Sequence, residues 1–145
     1  MAALSNYLEN QVIDWLMRGQ TYSPPATLYI ALYTTAPTAA GGGSEVTGGS
    51  YARVGVASSL AEWAGTQGAG TTTASTGTSG TTSNNNNITY PTPTAAWGTV
   101  VAFGVLDAST GGNLLFFANL TTAKTINNGD SPPIFQNAQL TFSLS

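Results

Sequence analysis

Apolar positions recur at two different spacings along the chain, and the spacing changes near residue 20. Over residues 5–18, SNYLENQVIDWLMR, the side chains of Leu8, Val12, Trp15 and Leu16 fall on one face at helical spacing, and Leu4 and Tyr7 extend the stripe. This predicts a helix over 5–18. Asn6 is placed to cap it, with Glu9 three residues later as in a capping box. Asp14 and Arg18 stand one turn apart as an ion pair, and Gly19 is a fitting stop.

Beyond Pro24 and Pro25 the period drops to two. TLYIALYT at 27–34 alternates Leu28, Ile30 and Leu32 against Tyr29, Ala31 and Tyr33, the signature of a strand. YARVGVA at 51–57 alternates likewise, with Arg53 in its middle. TVVAFGVL at 99–106, NLLFFANL at 113–120 and AQLTFSLS at 138–145 are the strongest later strands. Residues 107–112, DASTGG, read as a hairpin loop between the first two, with glycine where positive φ is needed. In the last strand Leu140, Phe142 and Leu144 face one way, and Gln139, Thr141, Ser143 and Ser145 the other. That is the half-buried pattern of an antiparallel sheet. Residues 127–130, NNGD, give a further turn and Pro132-Pro133 a break.

Two stretches break the pattern. The glycines at 41–43 and 48–49 bracket Glu45 and Val46, which predicts a flexible arch. Residues 66–87 contain only Gly, Ala, Ser, Thr, Asn and Gln. With no apolar anchor, this segment is expected to be a long polar loop, ordered only by packing on itself or by a partner. The predicted architecture is one mainly β domain over 1–145, with an N-terminal helix at 5–18 and a β body at 27–145. The sheet is antiparallel, either a sandwich or a small barrel-like sheet.

Composition narrows the chemistry sharply. Of 145 residues 41% are hydrophobic but only 6% charged, with 6 acids, 3 bases, no His and no Cys. An ordinary soluble domain carries about 25% charged residues. Thiol and imidazole catalysis, Ser-His dyads, zinc sites and iron–sulfur clusters all need side chains missing here. Three cations cannot neutralise a run of phosphates, so no nucleic-acid partner is expected. No apolar run is long enough for a membrane helix, and Glu9, Asp14 and Arg18 interrupt the N-terminal one, so neither a membrane partner nor a cleaved leader is expected.

The remaining candidates each have a plainer reading. Glu45 with Glu62, or Asp107 with Asp130, would suit glycoside hydrolysis if paired, yet all four adjoin turn residues, where acids cap backbone amides. Asp107, Ser109 and Gly112 resemble the start of a calcium loop, but Ala118 stands where the bidentate Glu belongs. Lys124, the sole lysine, reads as a turn residue between strands rather than half of a Ser–Lys dyad. Trp15, Trp63 and Trp97, with Tyr22, Tyr29, Tyr33, Tyr51 and Tyr90, are numerous enough to line a sugar-binding face, and are better explained as packing anchors. Arg53, in a strand, needs a carboxylate: Glu62, Asp107 or one from another subunit. No catalytic, cofactor or metal site is expected. Leu8, Val12, Trp15, Leu16 and Arg53 are the candidate partner-docking residues.

An ordered set of segments carries a resemblance: LSNYLE at 4–9, LYIALY at 28–33 with Pro37 nearby, EVTGGSYARV at 45–54 and ITYP at 88–91. WGTVV at 97–101, FGVLDA at 103–108, GGNLL at 111–115 and KTI at 124–126 complete it. In this order the chain resembles a family of small tailed-bacteriophage virion proteins, labelled either tail fibre or capsid decoration (cement) proteins. The resemblance implies a non-enzymatic structural role in the virion, with no catalytic residues to carry over. A compact body with reaching arms fits a capsid cement protein, bound to the major capsid protein and present as a homo-oligomer at a capsid symmetry axis. The resemblance also implies a siphovirus-like cyanophage setting. A tail fibre or receptor-binding tail component contacting host glycans is the alternative.

Overall fold

The computed structural model describes residues 2–144. In chain order these form β1 (Ala3–Leu4), α1 (Asn6–Arg18), β2 (Thr27–Thr35), β3 (Ser44–Glu45), β4 (Val54–Ala57) and β5 (Thr81–Ser83). There follow β6 (Ile88–Thr89), β7 (Gly98–Leu106), β8 (Leu114–Ile126), β9 (Ile134–Phe135) and β10 (Thr141–Ser143). One six-stranded antiparallel sheet runs β1-β8-β7-β2, and β3 and β4 share the far side of β2. Two short antiparallel pairs, β5 with β10 and β6 with β9, lie outside it. The sheet stays open at both edges, so the architecture is a sandwich with one N-terminal helix and no closed barrel.

Strand parity explains which face each residue serves. On β2, Leu28, Ile30 and Leu32 join the main core, while Ala31 and Tyr33 join a smaller cluster on the opposite face. On β7 a bulge between Val100 and Ala102 shifts the parity. Val100, Phe103 and Val105 therefore all reach the main core, and Ala102 and Leu106 the other side. Aromatic rings run through this core between its Leu, Ile and Val side chains. From Trp63 an unbroken series passes through Phe142, Phe103, Phe135, Tyr90 and Tyr51 to Trp97, with neighbouring centroids 5.3–6.3 Å apart. Phe142 sits on β10 and Phe135 on β9, so both short strand pairs are pinned to the large sheet through Phe103. Each such ring pair adds about 0.5–1.5 kcal/mol beyond its burial.

Several local expectations are corrected. The helix cap is Ser5, whose Oγ accepts the Leu8 N–H at 3.2 Å, not Asn6; Glu9 thus falls one position beyond capping-box spacing. Gly19 does end the helix, in the left-handed conformation at φ 67°. Lys124 lies within β8, opposite Val100, because that strand continues through residues 121–126. The glycine-rich arch holds an edge strand, β3, and buries Val46. The last strand is short and pairs with β5 rather than the large sheet; Leu140 and Phe142 point inward, but Leu144 is exposed. Ser145, assigned to its polar side, lies outside the described residues.

The segment at 66–87 is ordered by its own polar groups. The Thr66 N–H donates to Ser75 Oγ at 3.1 Å, Gln67 Nε2 to Thr73 Oγ1 at 3.0 Å, and Ser79 Oγ to the Thr66 carbonyl at 2.8 Å. It also contains β5, and it has an anchor after all. Asn84, 1% exposed, donates to the carbonyls of Asn86 and Gln136 at 2.7 and 2.8 Å and accepts the Leu140 N–H at 2.9 Å. A carboxamide with both ends satisfied is as good a core residue as a leucine.

Candidate docking surface

The six acids are dispersed, and five of them are tied to neighbours. Asp107 accepts the Asn113 backbone and side-chain N–H groups at 2.7 and 2.8 Å. Asp130 accepts the Asn127 N–H at 2.8 Å, Glu62 the Asn86 amide at 3.0 Å, and Asp14 the Arg18 guanidinium at 2.7 Å. Glu45 accepts Arg53 through both oxygens. No group of three metal-ligating side chains occurs among the described residues. The 107–112 segment behaves as a hairpin turn, its Gly111 and Gly112 at φ 59° and 76°.

Arg53 and the helix residues are far apart in role. Arg53 precedes β4 rather than lying within it, and its partner is Glu45, none of the carboxylates expected. Nε and Nη2 donate to Glu45 at 2.8 and 2.7 Å, and Nη1 donates to the carbonyls of Ala108 and Gly111 at 2.7 and 2.8 Å. With its side chain 8% exposed, the guanidinium staples edge strand β3 to the 107–112 hairpin. Its donors are used within the chain. The Glu45 hydrogen bond also raises the Arg53 pKa above its already high ordinary value. Beside it Tyr51 Oη donates to Glu45 at 3.0 Å and accepts the Leu32 N–H at 2.9 Å; burial raises this phenol's pKa well above its ordinary value. Tyr90, fully inside, donates to the Ile30 carbonyl at 3.0 Å and is likewise raised by burial.

The helix stripe is anchored at one end only. Leu8 is buried in the main core, and the Ser5 hydroxyl donates to the Leu114 carbonyl, tying the start of α1 to β8. From Glu9 to Tyr29 no residue is buried. Yet this arm carries Val12, Ile13, Trp15, Leu16 and Met17, with Trp15 56%, Leu16 66% and Met17 76% exposed. At 100° per residue the five apolar side chains sweep roughly 200° of the helix, about twice the stripe a core-facing helix needs. Ile13 and Met17 lie outside the face the spacing singled out. The Asp14–Arg18 pair occupies the polar remainder and cancels its own charge.

An apolar cleft lies between the large sheet and the 66–80 segment. Leu28, Val105 and Phe116 form its floor on the large sheet, Phe142 and Leu144 one wall, and Trp63 with the 66–80 segment the other; its volume is about 310 Å³. No charged residue lines it. The other aromatics provide no exposed sugar platform. Trp97, Tyr33 and Tyr90 are buried, Trp63, Tyr22 and Tyr51 pack half-buried against the main core, and Tyr29 is half-buried on β2.

The chain is thus an apolar arm on a compact β body whose ionised groups are dispersed. Residues 3–143 match the family described as Podophage GP4 fiber I protein gp80. The chain belongs to this family. No curated protein matches it. Membership makes it a phage virion structural protein of the fibre kind. The family description names a podophage and a fibre, where the ordered segments implied a siphovirus-like setting and, first, a shell. Nearly every described residue of this fibre-family chain falls inside the match, the ordered 66–87 segment included.

Proposed function

We propose that the chain is a non-enzymatic structural subunit of a phage tail fibre, incorporated through the exposed apolar face of α1. The observation that carries the reading is the fibre-family match over residues 3–143, joined by an arm whose apolar side chains the body leaves uncovered. Docking is then burial of Val12, Trp15, Leu16 and neighbouring side chains against another virion chain. Such a contact stabilises the assembly it joins by mass action. Few charges take part, so incorporation is insensitive to salt. The family match favours the fibre alternative over a cement role on the major capsid protein. The packing of Trp63, Trp97, Tyr51 and Tyr90 in the interior favours an architectural role over glycan recognition.

Cryo-electron microscopy of intact particles, with the chain located by a bound antibody fragment, tests the reading. Density along the tail fibres is the expected result. Density at symmetry axes of the shell would overturn it and return the chain to a cement role.

A further inference from the structure

The arm and the cleft match each other in chemistry but do not meet within one chain. Trp15, Leu16 and Met17 stand exposed on α1, while the cleft between Trp63, Phe116 and Phe142 is unfilled. We infer that the α1 arm of one copy inserts Trp15 and Leu16 into the cleft of a second copy. This rests on the reading of α1 as a docking element and names its partner.

Charge and size support a second copy as the occupant. The cleft has no charged lining residue, and the arm's Asp14 and Arg18 neutralise one another at 2.7 Å, so no ionised group is stripped of water on contact. A cavity of about 310 Å³ is large enough for an indole with a neighbouring methyl-bearing side chain. Thr66, Ser75 and Thr82 are among the lining residues, and a buried indole N–H seeks an acceptor. Val12, Ile13, Trp15, Leu16 and Met17 cluster as exposed apolar side chains within six residues, the kind of patch that marks an interaction site. Each copy owns one arm and one cleft. A reciprocal pair therefore covers both the arm and the cleft of each copy.

The roughly 200° apolar sweep also exceeds what one cleft covers. Trp15 and Leu16 enter the neighbour, and Ile13 and Met17 are left for the rim around it. Because the arm and cleft are different surfaces, the contact is self-complementary only in a reciprocal pair or a closed ring, and otherwise propagates.

The full-length chain provides a clean test, since it contains no cysteine. Leu16→Cys and Leu144→Cys variants are prepared separately, mixed and oxidised; Leu144 is exposed on the cleft wall, so neither change disturbs the core. The expected product is a disulfide-linked pair formed at least tenfold faster than from Leu16→Cys mixed with Ser109→Cys, a hairpin-loop control. Analytical ultracentrifugation of the unmodified chain should show a concentration-dependent oligomer. Trp15→Ala, or a charge at the cleft mouth in Leu144→Glu, should shift its midpoint at least tenfold upward in concentration. Equal crosslinking with the control, or a monomer at all concentrations, overturns the inference. If arm variants of such a monomer are still lost from particles, α1 docks on another virion protein and the fibre reading survives. If the oligomer forms but maps to the shell, the fibre reading fails while the arm–cleft contact stands.

Discussion

The most apolar surface element of this protein and its most polar segment have exchanged the roles their compositions suggest. The α1 arm, with Val12, Ile13, Trp15, Leu16 and Met17 within six residues, has no buried side chain beyond Leu8. The 66–87 segment lacks a single large apolar residue, yet it holds a strand and a buried asparagine. Composition fixes what burial would be worth; connectivity decides whether it happens. The arm leaves the body after one tethered turn, and no other part of its own chain covers it. The polar segment returns to the body at β5, and its amides and hydroxyls supply partners for the backbone they cross. Burial of polar groups costs little once they are paired.

The largest expected effect tests the polar half of that contrast. Asn84→Leu keeps the volume but orphans the carbonyls of Asn86 and Gln136 and the Leu140 N–H. With about 1–3 kcal/mol at stake for each unsatisfied buried group, the loss should reach about 4 kcal/mol in urea unfolding. The 66–80 segment should also become the first site of limited proteolysis. A loss under about 1 kcal/mol would mean that the segment is held by something other than this residue.

Next comes the Arg53 staple. Arg53→Met should cost about 2–3 kcal/mol, at or below the low end for buried pairs because the Glu45 side chain is 24% exposed. Glu45 loses both charged contacts, and the carbonyls of Ala108 and Gly111 lose their donor. Hydrogen exchange should quicken in β3 and in the 107–112 hairpin and be unchanged in β7. Uniform acceleration across the sheet would refute a local staple.

What was legible in the sequence was whatever rests on period alone. β2 and β7 appear within a residue of the predicted bounds because their alternation is strict and their ends carry Pro, Gly or Asp. The helix and its Gly19 stop are equally plain. What could not be seen are features that depend on a distant partner. Residues 121–126 read as a turn because Thr and Lys carry no apolar alternation, yet β7 extends far enough to pair with them. Glu45 was hidden in a glycine-rich stretch, and only the fold brings it to Arg53. For the arm, spacing identified Leu8, Val12, Trp15 and Leu16 as one stripe. Spacing cannot say that Leu8 is core and the other three are not. Asn84 had no signal beyond its place in a run of four asparagines.

A smaller effect concerns the phenols inside the sandwich. Tyr90 and Tyr51 have pKa values raised by burial above the ordinary phenol value of about 10. Between that value and the folded one, the unfolded chain releases protons that the folded chain keeps. Their contribution to stability is therefore complete below pH 10 and is lost as pH rises above it. Unfolding free energy should be flat from pH 7 to 9 and fall steeply beyond 10. Tyr90→Phe should lower stability at pH 7 by about 1 kcal/mol, through loss of the bond to the Ile30 carbonyl, and flatten the alkaline fall. An unchanged alkaline slope would assign that fall to other groups.

The smallest expected change in stability sharpens the comparison most. Trp15→Ser with Leu16→Ser removes two large side chains from the arm, neither of them packed in the core. Substitutions at such exposed sites stay within about 0.5 kcal/mol. Helix propensity moves by only a few tenths of a kcal/mol more. The same double change should abolish incorporation into particles, read by quantitative mass spectrometry of purified virions. A protein whose stability is untouched and whose assembly is lost separates the two uses of apolar surface in one chain. On that outcome the rings of the sandwich interior hold the fold, and the rings and aliphatic groups of the arm serve contact with a neighbour. A drop of about 2 kcal/mol or more would instead place Trp15 and Leu16 against the chain's own body in solution, and the arm would cease to be a docking element.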